Sequence, residues 1–371
     1  LDPADCGPAT ISLSQDVQGE AFDYPEIFFE EKIHIIRRVH PDPRQLNEAA
    51  EQLKLSKQPI IIAGGGILYS EAEKELSDFA KKHNIPVTPT VMGIGCMTKD
   101  DPYYIGAIGC LGEGSSNSLS KDTDLALAIG TKLGDFTTGS WSNFQNEDFK
   151  LVSINTARFD VTKHLATPVI SDAKIGLLEL SKALGDWRAP NNWYERSIDE
   201  RKKWDSYVEK QSGPTNQELP SYAHAVGAVY RNADPSDIVV TAAGGLVGEV
   251  VQIWKPKELN TFETEWGFSC MGYEISGALG IKMAKPDQDV IVFVGDGSYL
   301  LHNSDIYSSV LYDKKLIIVV CDNGGHMVIN RLQLAKGGKE YLCNLKEARA
   351  TNLQFVDFEA HAKSMGANGE T

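Results

Sequence analysis

Gly295-Asp296-Gly297-Ser298 follows directly on an apolar run at residues 290–294, and a second apolar run at 315–320 ends shortly before Asn323-Gly324-Gly325. Asp296 and Asn323 are 27 residues apart, a separation that one strand–helix–strand crossover fills. Such a crossover brings both side chains to the carboxyl edge of one parallel sheet, where open α/β sheets hold ligands. There the Asp296 carboxylate, the Asn323 amide oxygen and the Gly325 carbonyl offer hard oxygen ligands to one side of a cation. Mg²⁺ takes about six oxygens in near-octahedral geometry and commonly draws the remainder from phosphate and water. Gly295 and Gly297 let a diphosphate approach the backbone, and Ser298 falls at a helix N-terminus, whose free N–H groups favour anions. The Gly-Asp-Gly turn alone is equally an ordinary strand end. Joined to two apolar strands, one spacing and Asn-x-Gly, it points to a diphosphate–Mg²⁺ site.

The surrounding pattern predicts an α/β fold of two Rossmann-like parallel-sheet domains. Residues 1–38 hold one strand-like run, 9–13, followed by an irregular aromatic stretch, 22–29. They read as the last strand and exit linker of a domain whose main body is absent. Residues 39–185 form the first unit. Helical spacing at 43–57 leads to the apolar run 59–63, then Gly64-Gly65-Gly66, a helix at about 70–83 and a strand at 85–87. Further strands at 125–130 and 151–155 and a helix near 173–184 complete it. Residues 186–220, rich in Trp, Lys, Glu, Asn and Pro, read as an exposed helix flanked by linkers. Residues 221–371 form the second unit: helix 221–232, strand 238–242, Gly244-Gly245, helix 270–284, strand 290–294, helix 303–312 and strand 315–320. Strands this apolar are normally buried on both faces, as in parallel sheets covered by helices. A further strand is expected where the chain stops, so this unit reads as C-terminally incomplete.

Composition bounds the partners. The chain has 371 residues with 36 Lys+Arg against 51 Asp+Glu, a formal charge of −15. With no basic block, it is expected to bind neither nucleic acid nor an anionic membrane surface. No apolar stretch approaches the roughly 20 residues a membrane helix needs, and the N-terminus carries no signal-peptide pattern. Six cysteines without a CxxC pair fit reduced thiols in a cytoplasmic protein better than a disulfide framework or zinc site. The absence of an initiator Met suggests a chain cut from something longer.

The Gly-Asp-Gly-Ser turn, the spacing and Asn-x-Gly resemble the cofactor motif of thiamine-diphosphate (ThDP) enzymes. The likeness extends to Cys6-Gly7-Pro8 through Gln18, similar to the exit from that family's pyrimidine-binding domain, and to Ala63-Gly64-Gly65-Gly66 with Tyr69-Ser70, similar to its central domain. Gln18-Gly19-Glu20-Ala21 with Asp23-Tyr24-Pro25, Asp135-Phe136-Thr137-Thr138-Gly139, and Phe268-Ser269-Cys270-Met271-Gly272-Tyr273-Glu274 more narrowly resemble the trihydroxycyclohexane-dione hydrolases of myo-inositol catabolism. The resemblance implies Asp296, Asn323 and Gly325 as Mg²⁺ ligands, and Gly244-Gly245-Leu246 as a second diphosphate-contacting turn. It implies Met271 as the apolar residue that holds the cofactor in a bent shape, with the amino group of the pyrimidine against the reactive thiazolium carbon. It further implies cleavage of a ring C–C bond, with water completing hydrolysis to a deoxy-glucuronate. The cofactor supplies the electronic chemistry and the protein supplies orientation and electrostatics.

In that family the glutamate that activates the cofactor lies in the pyrimidine-binding domain, and no residue here matches it. The chain as given is therefore expected to be incomplete for catalysis. An aromatic residue commonly follows the metal-binding glycine; here His326-Met327 follows Gly325. His326 is a candidate acid–base group or a polar rim residue, and His302 is similarly placed. FAD or another nucleotide in the central domain is conceivable from the family, but Gly64-Gly65-Gly66 lacks the GxGxxG spacing and reads as structural. The resemblance also implies a homo-oligomer, at least a dimer, with cofactor between subunits, and a small cyclic polyol-dione as substrate. Two alternatives stay open: a carboligase similar to acetolactate synthase, and a non-catalytic nucleotide-binding module.

Overall fold

A computed structural model describes residues 1–371. Two all-parallel sheets carry the molecule. The first contains β1 (Pro59–Ala63), β2 (Val87–Pro89), β3 (Leu125–Ile129), β4 (Lys150–Asn155) and β5 (Thr167–Ile170), in spatial order β2-β1-β3-β4-β5. The second contains β6 (Ile238–Thr241), β7 (Phe262–Thr264), β8 (Val290–Gly295) and β9 (Ile317–Cys321), in order β7-β6-β8-β9. This is the expected α/β architecture of two Rossmann-like sheets.

The strands are buried because side chains alternate between two covered faces. In the first sheet Ile61, Ala63, Leu125, Leu127 and Ile129 pack with Leu53, Phe79, Leu177 and Leu180. These partners come from helices α1 (Pro43–Leu55), α2 (Glu73–His83) and α4 (Ala173–Leu184), between which α3 (Gly114–Asp122) intervenes in sequence. Ile60, Ile62, Ala126 and Ala128 pack on the opposite face with Leu119 of α3 and Trp193. In the second sheet Val239, Ile291 and Phe293 face one core, and Ile238, Val240, Val290, Val292 and Val294 face the other. Helix starts follow their caps: Asp42 accepts from the Arg44 N–H at 2.8 Å, with Pro43 in the first turn, and Asp172 accepts from the Ile175 N–H at 3.2 Å.

Residues 9–13 are not a strand. They are exposed, and no strand of the chain lies beside them to exchange hydrogen bonds. The 186–220 segment is also not simply exposed. Its helix α5 (Asn191–Ser212) is a strut between the two sheets. The Trp193 indole N–H donates to the Pro59 carbonyl at 2.9 Å, and Arg201 donates to the carbonyls of Tyr104 and Lys99. Polar pairs such as Lys203–Glu200 cover its outer face and conceal how much of it is covered. β5, β7 and α3 were not evident in the sequence: two are three- or four-residue strands, and α3 is Ser-rich. Ser115 and Ser116 of α3 are buried by donating to the carbonyls of Ile105 and Ala107. No helix is long and apolar enough to cross a membrane.

The second unit continues with α6 (Tyr222–Asn232), α7 (Leu246–Ile253), α8 (Tyr273–Ala284), α9 (Asp296–Leu301), α10 (Ser304–Leu311) and α11 (Met327–Ala335). From β6 the chain crosses to β7 on one side and then returns to β8 on the other. That reversal between β6 and β8 is a topological switch point, and it opens a crevice at the strands' carboxyl ends.

Candidate functional site

Three turns meet at this crevice: Ala242–Leu246 after β6, Gly295–Ser298 after β8, and Asp322–Gly325 after β9. β8 and β9 are paired up to Gly295 and Cys321, so Asp296 and Asn323 leave adjacent strands of one sheet. Asp296 is 5% exposed, and its Oδ2 accepts from the Gly325 N–H at 2.9 Å, which joins the two halves of the motif directly. Gly325 is required there: its φ is +145°, and a Cβ would lie 2.2 Å from the Cys343 carbonyl oxygen. Asn323 donates through Nδ2 to the Tyr222 hydroxyl, while its Oδ1 takes no hydrogen bond from the protein.

Burial pushes the Asp296 carboxyl above the usual aspartate range, and the neighbouring Asp322 carboxylate pushes the same way. The N–H groups of Gly297 and Gly325 oppose this. No Lys or Arg pairs with Asp296. A buried carboxylate beside a second one, with no cationic side chain as partner, has the donor chemistry a hard divalent cation satisfies. The residues present fit Mg²⁺.

Gly297 is the meeting point of the next group. A Cβ on it would lie 3.2 Å from Met271 Cε and 3.3 Å from His326 Cε1, so both side chains reach the Asp296 turn. Met271 remains 37% exposed, open to the crevice rather than sealed in the core. His302 lies behind it: its Cβ would be 2.3 Å from a Cβ on Gly272, and its Nε2 pairs with Asp305 Oδ2 at 3.3 Å.

Gly244 has φ +79° and open space where a Cβ would stand, so the turn leaves backbone accessible. Leu246 is buried at 2%, starts α7 and packs its side chain into the core of the second sheet. Gly245 is crowded by Arg331, whose Nη2 would be 2.5 Å from a Cβ there. Ser298 is buried, and its hydroxyl faces the carboxylate of Glu274.

Four residues at the crevice carry roles that sequence reasoning did not assign. Glu274 is fully buried, accepting from the Ala243 N–H at 3.1 Å and the Gly272 N–H at 2.8 Å, so it ties the β6 turn to the Met271 turn. Asp322 adds charge beside Asp296, Tyr222 holds Asn323, and Arg331 of α11 overhangs Gly245. The extra acid beside Asn323 was readable in the sequence. Tyr222 and Arg331 carried no signal, because nothing local marks their approach.

The glycines of the first sheet are used for packing. A Cβ on Gly64 would lie 2.2 Å from the Gly130 carbonyl oxygen, and one on Gly66 would lie 2.6 Å from Gly130 Cα. A cavity of about 740 Å³ opens at the other end of that sheet, near the starts of β1, β3 and β4, with polar lining such as Gln58, Asp124 and Arg196. It shares no residue with the crevice.

Residues 46–180 match the family model for the central domain of thiamine pyrophosphate enzymes, and residues 242–371 match that for their C-terminal TPP-binding domain. The chain belongs to the thiamine pyrophosphate enzymes. Within this family it is 36% identical over 395 residues to a 3D-(3,5/4)-trihydroxycyclohexane-1,2-dione hydrolase of Bacillus anthracis, covering 98% of this chain and 61% of that protein. It is 35% identical over 391 residues to the protein of the same name from Halalkalibacterium halodurans, covering 99% and 61%. The chain thus spans about 61% of the length of these curated relatives. In this thiamine pyrophosphate enzyme the crevice of the second sheet falls inside the matched TPP-binding domain.

Proposed function

We propose that this chain provides the diphosphate- and Mg²⁺-holding part of a ThDP-dependent hydrolase that opens the ring of trihydroxycyclohexane-1,2-dione by C–C cleavage, yielding 5-deoxy-glucuronate. The observation that carries the reading is Asp296: buried, without a cationic partner, hydrogen-bonded to Gly325 and set at the switch point. The relatives' printed names supply the substrate class.

Asp296, Asn323 and the Gly325 carbonyl would hold Mg²⁺, with Asp322 adding negative charge. The exposed backbone of Gly244-Gly245 and the Gly295–Gly297 turn would receive the diphosphate, with Arg331 offsetting its charge. Met271 would support the bent cofactor. When bound, ThDP supplies a carbon nucleophile and an electron sink for the breaking C–C bond. His326, whose ring meets Met271 at the Gly297 turn, would be the candidate acid–base group. An assembly of at least two copies is part of this reading. Its support is the exposed apolar surface of the N-terminal segment, where Phe22, Tyr24, Phe28 and Phe29 cluster through edge-on and tilted ring contacts.

The test uses full-length protein. Wild type should bind ThDP by calorimetry only when Mg²⁺ is present, and it should convert the cyclic dione. Asp296→Ala should abolish the metal-dependent binding. Turnover of pyruvate alone would favour a carboligase, and absence of metal-dependent binding by the wild type would favour a non-catalytic module.

A further inference from the structure

Tyr222 opens α6 immediately after its cap Ser221, and its ring lies against the core formed by Val226, Val239 and Phe293. Its hydroxyl reaches across the carboxyl edge of the sheet and takes the Nδ2–H of Asn323, 101 residues away. Burial pushes the phenol above its usual range, and it lies close enough to Asp296 and Arg331 to feel both charges. The hydroxyl oxygen has lone pairs with which to take the amide hydrogen.

A primary amide has a donor arm and an acceptor arm, and they are exchanged by a half-turn about the last side-chain bond. Only the oxygen arm is useful to a cation; the NH₂ arm presented to it is repulsive. Asn323 is exposed, and apart from Tyr222 it has no side-chain hydrogen bond to choose between the two arrangements.

We propose that Tyr222 is a positioning residue: by taking the Asn323 Nδ2–H it holds the amide oxygen free for the divalent cation. The inference rests on the Mg²⁺–diphosphate reading of the site. It assigns an outer partner to a ligand from a different element, α6, and so couples that helix to cation binding.

The test is Mg²⁺ titration by calorimetry at saturating ThDP, on full-length protein, with the variants Tyr222→Phe, Asn323→Asp and the double variant. Tyr222→Phe keeps the ring and its packing, so a thermal melt should show a folded protein. Mg²⁺ affinity should fall about 10-fold, the lower end for losing an outer partner. A carboxylate presents oxygen whichever way it turns. In the Asn323→Asp background the same Tyr222→Phe change should therefore cost little further affinity. Equal losses in both backgrounds, or no loss in either, would overturn the positioning role while leaving the site reading intact. A wild type that shows no Mg²⁺-dependent binding would overturn the site reading and this inference with it.

Discussion

Asp296 sits where an aspartate is costly unless something positive joins it: 5% exposed, met by the N–H groups of Gly297 and Gly325 but by no cationic side chain, and beside Asp322. Its spacing from Asn323 and Gly325 was legible, because one crossover links them. The residues that complete the arrangement were not: Tyr222 arrives from α6 and Arg331 from a later turn of α11, and no local pattern specifies their reach. Arg331→Met keeps the length of the side chain and removes the charge over Gly245. It should weaken binding of the diphosphate-bearing cofactor about 10-fold, equivalent to roughly 1.4 kcal/mol, at the low end for losing a charged hydrogen bond. Mg²⁺ affinity at saturating ThDP should be preserved; calorimetry reads both. Gly325→Ala should cost about 1–3 kcal/mol in strain at φ +145°, and more through the 2.2 Å approach to the Cys343 carbonyl oxygen. A lowered melting temperature should accompany loss of metal binding.

The elements explain why these residues share one edge. Long apolar strands such as β1, β3 and β8 were readable because burial on both faces demands uninterrupted apolar side chains. β5 and β7 were not, since they are short and hold Thr167, Pro168 and Glu263. The β6 turn and the Met271 turn are separate in sequence, and Glu274 at the start of α8 keeps them together through two backbone N–H groups. Burial pushes its carboxyl up, and those N–H groups pull it back. Glu274→Ala should leave both donors unsatisfied, costing roughly 3 kcal/mol. Hydrogen exchange should show faster exchange at Ala243 and Gly272. Protection unchanged at both would mean that another contact holds the turns.

Across the whole molecule, α5 and a buried ionic group connect the two sheets. Lys255, after α7, pairs with Glu113 at 3.3 Å and with Asp205 of α5, and Tyr104 donates to Glu113 at 3.3 Å. The composition of 186–220 reads as an exposed helix flanked by linkers because its charges look like surface; the fold uses two of them, Arg201 and Asp205, at the seam. Burial of Glu113 pushes its carboxyl up despite the attraction of Lys255. A raised carboxyl favours the folded state most when protonated. Its contribution is thus complete below the ordinary glutamate value of about 4.3 and is lost as pH rises through the elevated folded value. Glu113→Gln should remove that segment of the pH dependence. Thermal melts across that window should show the wild-type midpoint declining more steeply than the variant's; identical slopes would contradict the burial argument.

The central claim is that the ends of β8 and β9 hold one divalent cation together with the cofactor's diphosphate. Crystals of the full-length protein grown with ThDP and Mn²⁺ test it most directly, through anomalous scattering from the metal. The prediction is a single Mn²⁺ peak in this crevice, ligated by Asp296, Asn323 Oδ1, the Gly325 carbonyl and diphosphate oxygens. A peak elsewhere, or a diphosphate bound with Asp296 and Asn323 turned away from the metal, would contradict it.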